Sequence, residues 1–134
     1  MERITSFTID HDVLVPGFYI SRKDGDITTY DLRTRRPNKG DYMSNADMHS
    51  VEHMFATYIR NSEIADSIIY FGPMGCQTGF YLLVRDVEPK KVFQITKEVL
   101  SQIIAHEGEV FGASAAECGH YENLDLEIAK EECR

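Results

Sequence analysis

Ser44-Asn45-Ala46-Asp47-Met48-His49-Ser50-Val51-Glu52-His53-Met54-Phe55-Ala56-Thr57-Tyr58-Ile59-Arg60-Asn61 decides how the rest of this 134-residue chain is divided. Met48, Val51, Phe55, Tyr58 and Ile59 recur at three- and four-residue spacing, as on a helix with one apolar face, and Ser44 or Asn45 can cap its start. On both sides the period changes to that of strands. Upstream, residues 3–10 read as a short strand, and residues 14–22 and 26–34 as two more around the turn Lys23-Asp24-Gly25. A polar loop from Arg35 to Asn45 carries Pro37-Asn38-Lys39-Gly40. Downstream, residues 66–71 and 79–85 read as strands joined by Gly72-Pro73-Met74-Gly75-Cys76-Gln77-Thr78. Residues 88–106 form a second helix, with Val92, Ile95, Val99 and Ile103 on one stripe and Pro89 in the first turn. A short third helix runs from Leu124 to the end. This order predicts an α+β fold: one domain over residues 1–134, a two-layer sandwich in which a mixed or antiparallel sheet packs against helices.

A hydrophobic content of 43% in this length supports one core. The net charge of −8 and pI near 5.0 argue against a nucleic-acid partner, which needs a basic face. No apolar run is long enough to cross a bilayer. Met1-Glu2-Arg3-Ile4-Thr5-Ser6 lacks the basic start and apolar stretch of a secretory signal, so a cytoplasmic location is expected. Three widely spaced cysteines, Cys76, Cys118 and Cys133, suit free, metal-bound or catalytic thiols better than a disulfide framework.

His49 and His53 stand four apart on the expected helix, roughly 40° apart around its axis, so both imidazoles can reach one metal ion. Glu52 projects roughly 60° to the other side of His49, near enough to act on a metal-bound group without ligating. The pattern His-x-x-Glu-His is that of inverzincin peptidases, although two histidines at this spacing also occur on ordinary solvated helix faces. Cys118, in Glu117-Cys118-Gly119-His120, is the candidate third ligand, its alternative being a small buried hydrophobe. Two imidazoles and a thiolate leave coordination positions open for substrate or water, and they suit iron(II), zinc or cobalt(II). Cys76 sits in a glycine-bounded loop, either as a buried turn thiol or as a reactive one.

Three segments, His49-Ser50-Val51-Glu52-His53, Pro73-Met74-Gly75-Cys76-Gln77-Thr78-Gly79 and Glu117-Cys118-Gly119, resemble in order the signature segments of the S-ribosylhomocysteine lyase (LuxS) family. Ser6-Phe7-Thr8-Ile9-Asp10-His11, Asp31-Leu32-Arg33 and Pro37-Asn38-Lys39 extend the resemblance along nearly the whole chain. It implies a LuxS/inverzincin-like metallohydrolase fold and a homodimer with active sites at the subunit interface. By the same resemblance His49, His53 and Cys118 hold one divalent metal, iron(II) in the native state, with zinc or cobalt able to substitute. Glu52 and Cys76 become the catalytic acid/base pair, and Ser6, His11 and Arg33 line the sugar site. The implied reaction splits S-ribosylhomocysteine into homocysteine and 4,5-dihydroxy-2,3-pentanedione, the autoinducer-2 precursor of quorum sensing, by two carbonyl migrations and a β-elimination. The chain departs from the family pattern where threonine is usual at Ser50. It departs again before Pro73, where many relatives read Asp-Ile-Ser and this chain reads Tyr70-Phe71-Gly72. The aspartate there helps hold the amino-acid end of the substrate. The chain also ends earlier than most relatives, at Arg134. The alternatives are a small inverzincin-type metallopeptidase, drawing a downstream glutamate as third ligand, and an inactive metal-binding homologue.

Overall fold

Helix α1 spans Asn45–Ile59 and begins where its sequence can satisfy free backbone donors. The Ser44 hydroxyl accepts from the Asp47 N–H while the Asp47 carboxylate accepts from the Ser44 N–H, a reciprocal capping box. The structure, a computed structural model, describes residues 1–4 and 10–134, so most of the strand expected over residues 3–10 lies outside the described residues.

The four strands are β1 (Gly17–Asp24), β2 (Ile27–Arg33), β3 (Ile68–Pro73) and β4 (Gly79–Arg85). They form one sheet in the order β1-β2-β4-β3 with every pairing antiparallel, which settles the expectation of a mixed or antiparallel sheet in favour of the latter. The first hairpin turns at Gly25–Asp26, slightly later than expected, and β1 starts at Gly17 rather than at residue 14. Strand β3 starts two residues late because Ala65–Ser67 form a 3₁₀ turn. Helix α2 (Pro89–Ala105) and helix α3 (Leu126–Cys133) complete an α+β domain. Pro89 occupies the first turn of α2, where its missing N–H costs nothing, and the Asp125 side chain caps α3 by accepting from Glu127 and Ile128. None of the described helices is long and apolar enough to cross a membrane.

One sheet face supplies Tyr30, Phe71, Phe80, Leu82 and Val84 to the core. Against it α1 lays Met48, Val51, Met54, Phe55 and Ile59, and α2 the expected stripe Val92, Ile95, Val99 and Ile103. At the centre Phe55 stacks on Phe71 with ring centroids 4.2 Å apart, and Phe71 on Phe80 at 5.1 Å. Such stacked aromatics contribute both buried area and a specific ring geometry. Phe55→Ala should therefore lower unfolding stability by about 3–5 kcal/mol, read as a lower urea midpoint, whereas Phe93→Ala, at a ring left 44% exposed, should cost far less.

Candidate metal centre and candidate catalytic cysteine

Because Val51 and Phe55 are committed to the core, the rotation of α1 is set, and His49, Glu52 and His53 fall on its half-buried flank. Cys118 meets them there. Ligand atoms of His49, His53 and Cys118 all lie within 4.8 Å of one another, the one such group among the described residues. The Cys118 Sγ is 3.2 Å from His49 Nε2, and the two imidazoles stand edge to face with centroids 4.6 Å apart.

Both rings are held from behind. His53 Nδ1 donates to the Phe111 carbonyl at 2.8 Å, and His49 Nδ1 donates to the side-chain oxygen of Asn123. With Nδ1 occupied in each ring, Nε2 is the nitrogen left to ligate. Gly112 makes the first contact possible: its φ is +68°, and a Cβ there would come within 2.9 Å of His53 Nδ1. Cys118 is fixed by its own turn, donating its N–H to Ser114 O at 3.0 Å, while the His120 N–H points at its sulfur at 3.4 Å. The fully buried Ser50, inside the histidine motif, accepts from the Asp125 N–H at 2.9 Å and ties α1 to the start of α3. A hydroxyl is what this tie requires, so the exchange of threonine for serine leaves it intact. Two imidazoles and a sulfur, converging without a side-chain carboxylate, fit one borderline-soft divalent metal.

The second cluster sits on the β3–β4 turn. Cys76 is exposed. Its sulfur lies 3.0 Å from the Thr78 hydroxyl and 3.9 Å from Arg33 Nη1. Arg33 is only 4% exposed: Nη1 donates to Thr78 Oγ1 and Nη2 to Asp31 Oδ2, each at 2.6 Å. Its guanidinium therefore faces Asp31, Thr78 and Cys76 from within the domain. Asp31 and Arg33 are two apart on β2 and so share a face; Asp31 is flanked in register by Tyr19 and Tyr81. Gln77 adopts a left-handed φ of 65°, held by Met43 N–H to Gln77 O at 3.0 Å and Gln77 Nε2 to Met43 O at 2.9 Å. A non-glycine residue at this φ persists only where its surroundings over-determine it, and here they do. Thr34 and Arg35 N–H groups close the turn by donating to Thr78 O.

Of the other expected residues, Glu52 is half-buried and has no hydrogen-bond or ion-pair partner among the described residues. His11 lies in the turn that follows Asp10, half-buried, and Ser6 lies outside the described residues. Among the described residues no hydrogen bond or ion pair joins the metal cluster to the Cys76 cluster. Asn123 escaped sequence reasoning, while Thr78 and Asp31 stood in the resemblance segments without a role; for Asp31 the alternation of strand faces was the available signal. The Tyr70 departure is a paired one, because its phenol occupies the space that a side chain at Gly72 would need.

A single α+β domain that converges two histidines and a cysteine, with a second cysteine presented on a braced turn, is compatible with a small one-metal enzyme of the lyase or hydrolase kind. A family model described as S-ribosylhomocysteinase (LuxS) matches residues 4–134. The S-ribosylhomocysteine lyases of Clostridium beijerinckii and Finegoldia magna are each 46% identical to the chain, over 97% of it and 86% of the relative. That of Borreliella burgdorferi is 45% identical over 98% of the chain and 88% of the relative. The chain belongs to the S-ribosylhomocysteinase (LuxS) family.

The third cysteine behaves differently. Burial first, and the Glu132 charge second, push the Cys133 thiol up to about 12 from 9.0. A pKa raised in the folded state contributes stability that is fully present below about 9 and lost as the pH climbs towards 12. Cys133→Ala should remove this part of the alkaline loss of stability, measured as the slope of unfolding free energy against pH. With Ellman's reagent at pH 8, Cys76 should react quickly and Cys133 only after unfolding.

Proposed function

We propose that this chain is a carbon–sulfur lyase that cleaves S-ribosylhomocysteine to homocysteine and 4,5-dihydroxy-2,3-pentanedione. The observation that carries it is the convergence of His49, His53 and Cys118 in a chain of this family, with Cys76 on a separate braced turn. A sulfur as third donor, in place of a glutamate, weighs against the metallopeptidase alternative, whose shared feature is the His-x-x-Glu-His helix of inverzincins.

The substrate carries its thioether on C5 of the sugar, remote from the C1 carbonyl. Expelling the thiol requires the carbonyl to move to C2 and then to C3. Each move takes a proton from a carbon alpha to the carbonyl and returns one to the neighbouring carbon. We assign these transfers to Cys76 as thiolate base and Glu52 as its carboxyl counterpart. In the last step a base removes the C4 proton, the C5–S bond breaks with its electrons on sulfur, and the thiol is released. The enol left behind tautomerises to the pentanedione. A divalent metal held by His49 Nε2, His53 Nε2 and Cys118 Sγ would supply Lewis-acid polarisation of the sugar oxygens. Iron(II) is the native ion that the family resemblance implies, with zinc or cobalt as substitutes, and a donor set of two imidazoles and a thiolate suits all three.

Arg33 in this scheme braces Cys76 beside the sugar, while Ser6 and His11 line the sugar itself. At the homocysteine end, Tyr70 stands where many relatives carry aspartate, and it is 53% exposed. We further infer a homodimer whose site is completed across the interface. Two clusters that no hydrogen bond or ion pair joins among the described residues support this, as does the outer sheet face, where Tyr70, Tyr81 and Leu83 surround a hollow of about 330 Å³. The reaction would run in the cytoplasm, and its dione product is the precursor of autoinducer-2.

Cys76→Ala should keep its metal and lose turnover, followed by thiol release, by at least about 10²–10⁴-fold. Cys118→Ala should lose metal and turnover together. Full activity in Cys76→Ala, or loss of metal there instead, defeats the assignment. Mixing inactive Cys76→Ala and His49→Ala chains should restore part of the activity if each site draws on both subunits; no recovery from a mixed dimer counts against the shared site.

A further inference from the structure

Between Cys118 and Asn123 the chain delivers two different groups to α1. The first is the sulfur donor. Five residues on, the Asn123 side chain lies against the back of His49, its oxygen accepting from Nδ1. Its amide nitrogen in turn donates to the Asn45 side-chain oxygen at 2.5 Å. Asn45 opens α1 and lies one helical turn before His49, so the two are neighbours on the same side of the helix. His49 Nε2 faces the Cys118 sulfur at 3.2 Å, so a ring that ligates through Nε2 carries its proton on Nδ1 and presents it to the Asn123 oxygen. The bond to Asn45 is compatible with that orientation of the Asn123 amide and holds the amide in place.

We propose that Asn123 is a positioning residue for the metal centre: it holds His49 in the Nδ1–H tautomer with Nε2 free to ligate, and Asn45 holds Asn123. His53 is braced by the Phe111 backbone carbonyl, which a side-chain substitution does not delete. The orientation of His49 rests on a side chain, and so is the one that sequence change can tune. The acceptor is a neutral amide, which orients the ring without adding a negative charge to a centre that already contains a thiolate. The inference rests on His49, His53 and Cys118 holding a metal, as proposed above.

The test is cobalt(II) binding by competition with a chelator of known affinity, on purified full-length chain, with the visible ligand-field spectrum recorded. Asn123→Leu should bind about 10–100-fold more weakly with an altered spectrum, because outer partners of ligating histidines typically contribute that much. Asn123→Asp, which keeps the acceptor, should bind as tightly as the parent or more tightly. Asn45→Ala should weaken binding by less than Asn123→Leu. Parental affinity in Asn123→Leu overturns the proposal, and so does equal weakening in the Leu and Asp variants, which would mark a merely structural role. His53→Ala separates the two levels. If it too binds cobalt like the parent, the metal centre itself is wrong; if it loses binding while Asn123→Leu does not, only the role of Asn123 falls.

Discussion

The seating of Phe55 against Phe71 is the constraint from which the rest of the structure follows. Burying one stripe of α1 against the sheet sets that helix's rotation, and rotation decides where every other α1 side chain points. Met48, Val51, Met54 and Ile59 reinforce the same choice. A turn of about 100° per residue then leaves His49, Glu52 and His53 no option but the flank that faces the segment following α2. The packing of the core and the placement of His49 and His53 beside Cys118 are thus set by the same helix rotation.

The two clusters are braced in different ways. Cys76 is presented by a short turn between hydrogen-bonded strands, and its position is locked by backbone bonds from Met43, Thr34 and Arg35 and by the Asp31–Arg33–Thr78 chain beneath it. Removing Asp31 alone would strand a buried guanidinium, which costs more than the pair contributes. Cys118 instead lies on a stretch with little regular structure. That stretch is held by α1 itself, through His53, His49 and Ser50. Local rigidity comes from the sheet in one case and from side-chain hydrogen bonds in the other.

Periodicity made the helices and strands legible because each buries one face: the α2 stripe and the alternation in β4 are plain in the sequence. Boundaries moved where short-range hydrogen bonds intervene, as at the Ala65–Ser67 turn before β3. The histidine pair was visible because helical spacing is local. The same holds neither for Asn123, whose histidine partner is 74 residues away, nor for Thr78, whose bond to Arg33 spans 45 residues. Arg33 illustrates a subtler gap. Its presence near the reaction was expected, yet only the fold reveals that it is buried under Cys76 with its charge balanced by Asp31.

The Tyr70–Gly72 pair couples two positions of the chain. The Tyr70 ring lies over a residue with no side chain, and any Cβ at position 72 would displace it. Residues that share one space do not respond to substitution independently. A side chain at position 72 would swing the exposed Tyr70 ring off the strand, so the two positions have to be varied together before either effect can be assigned.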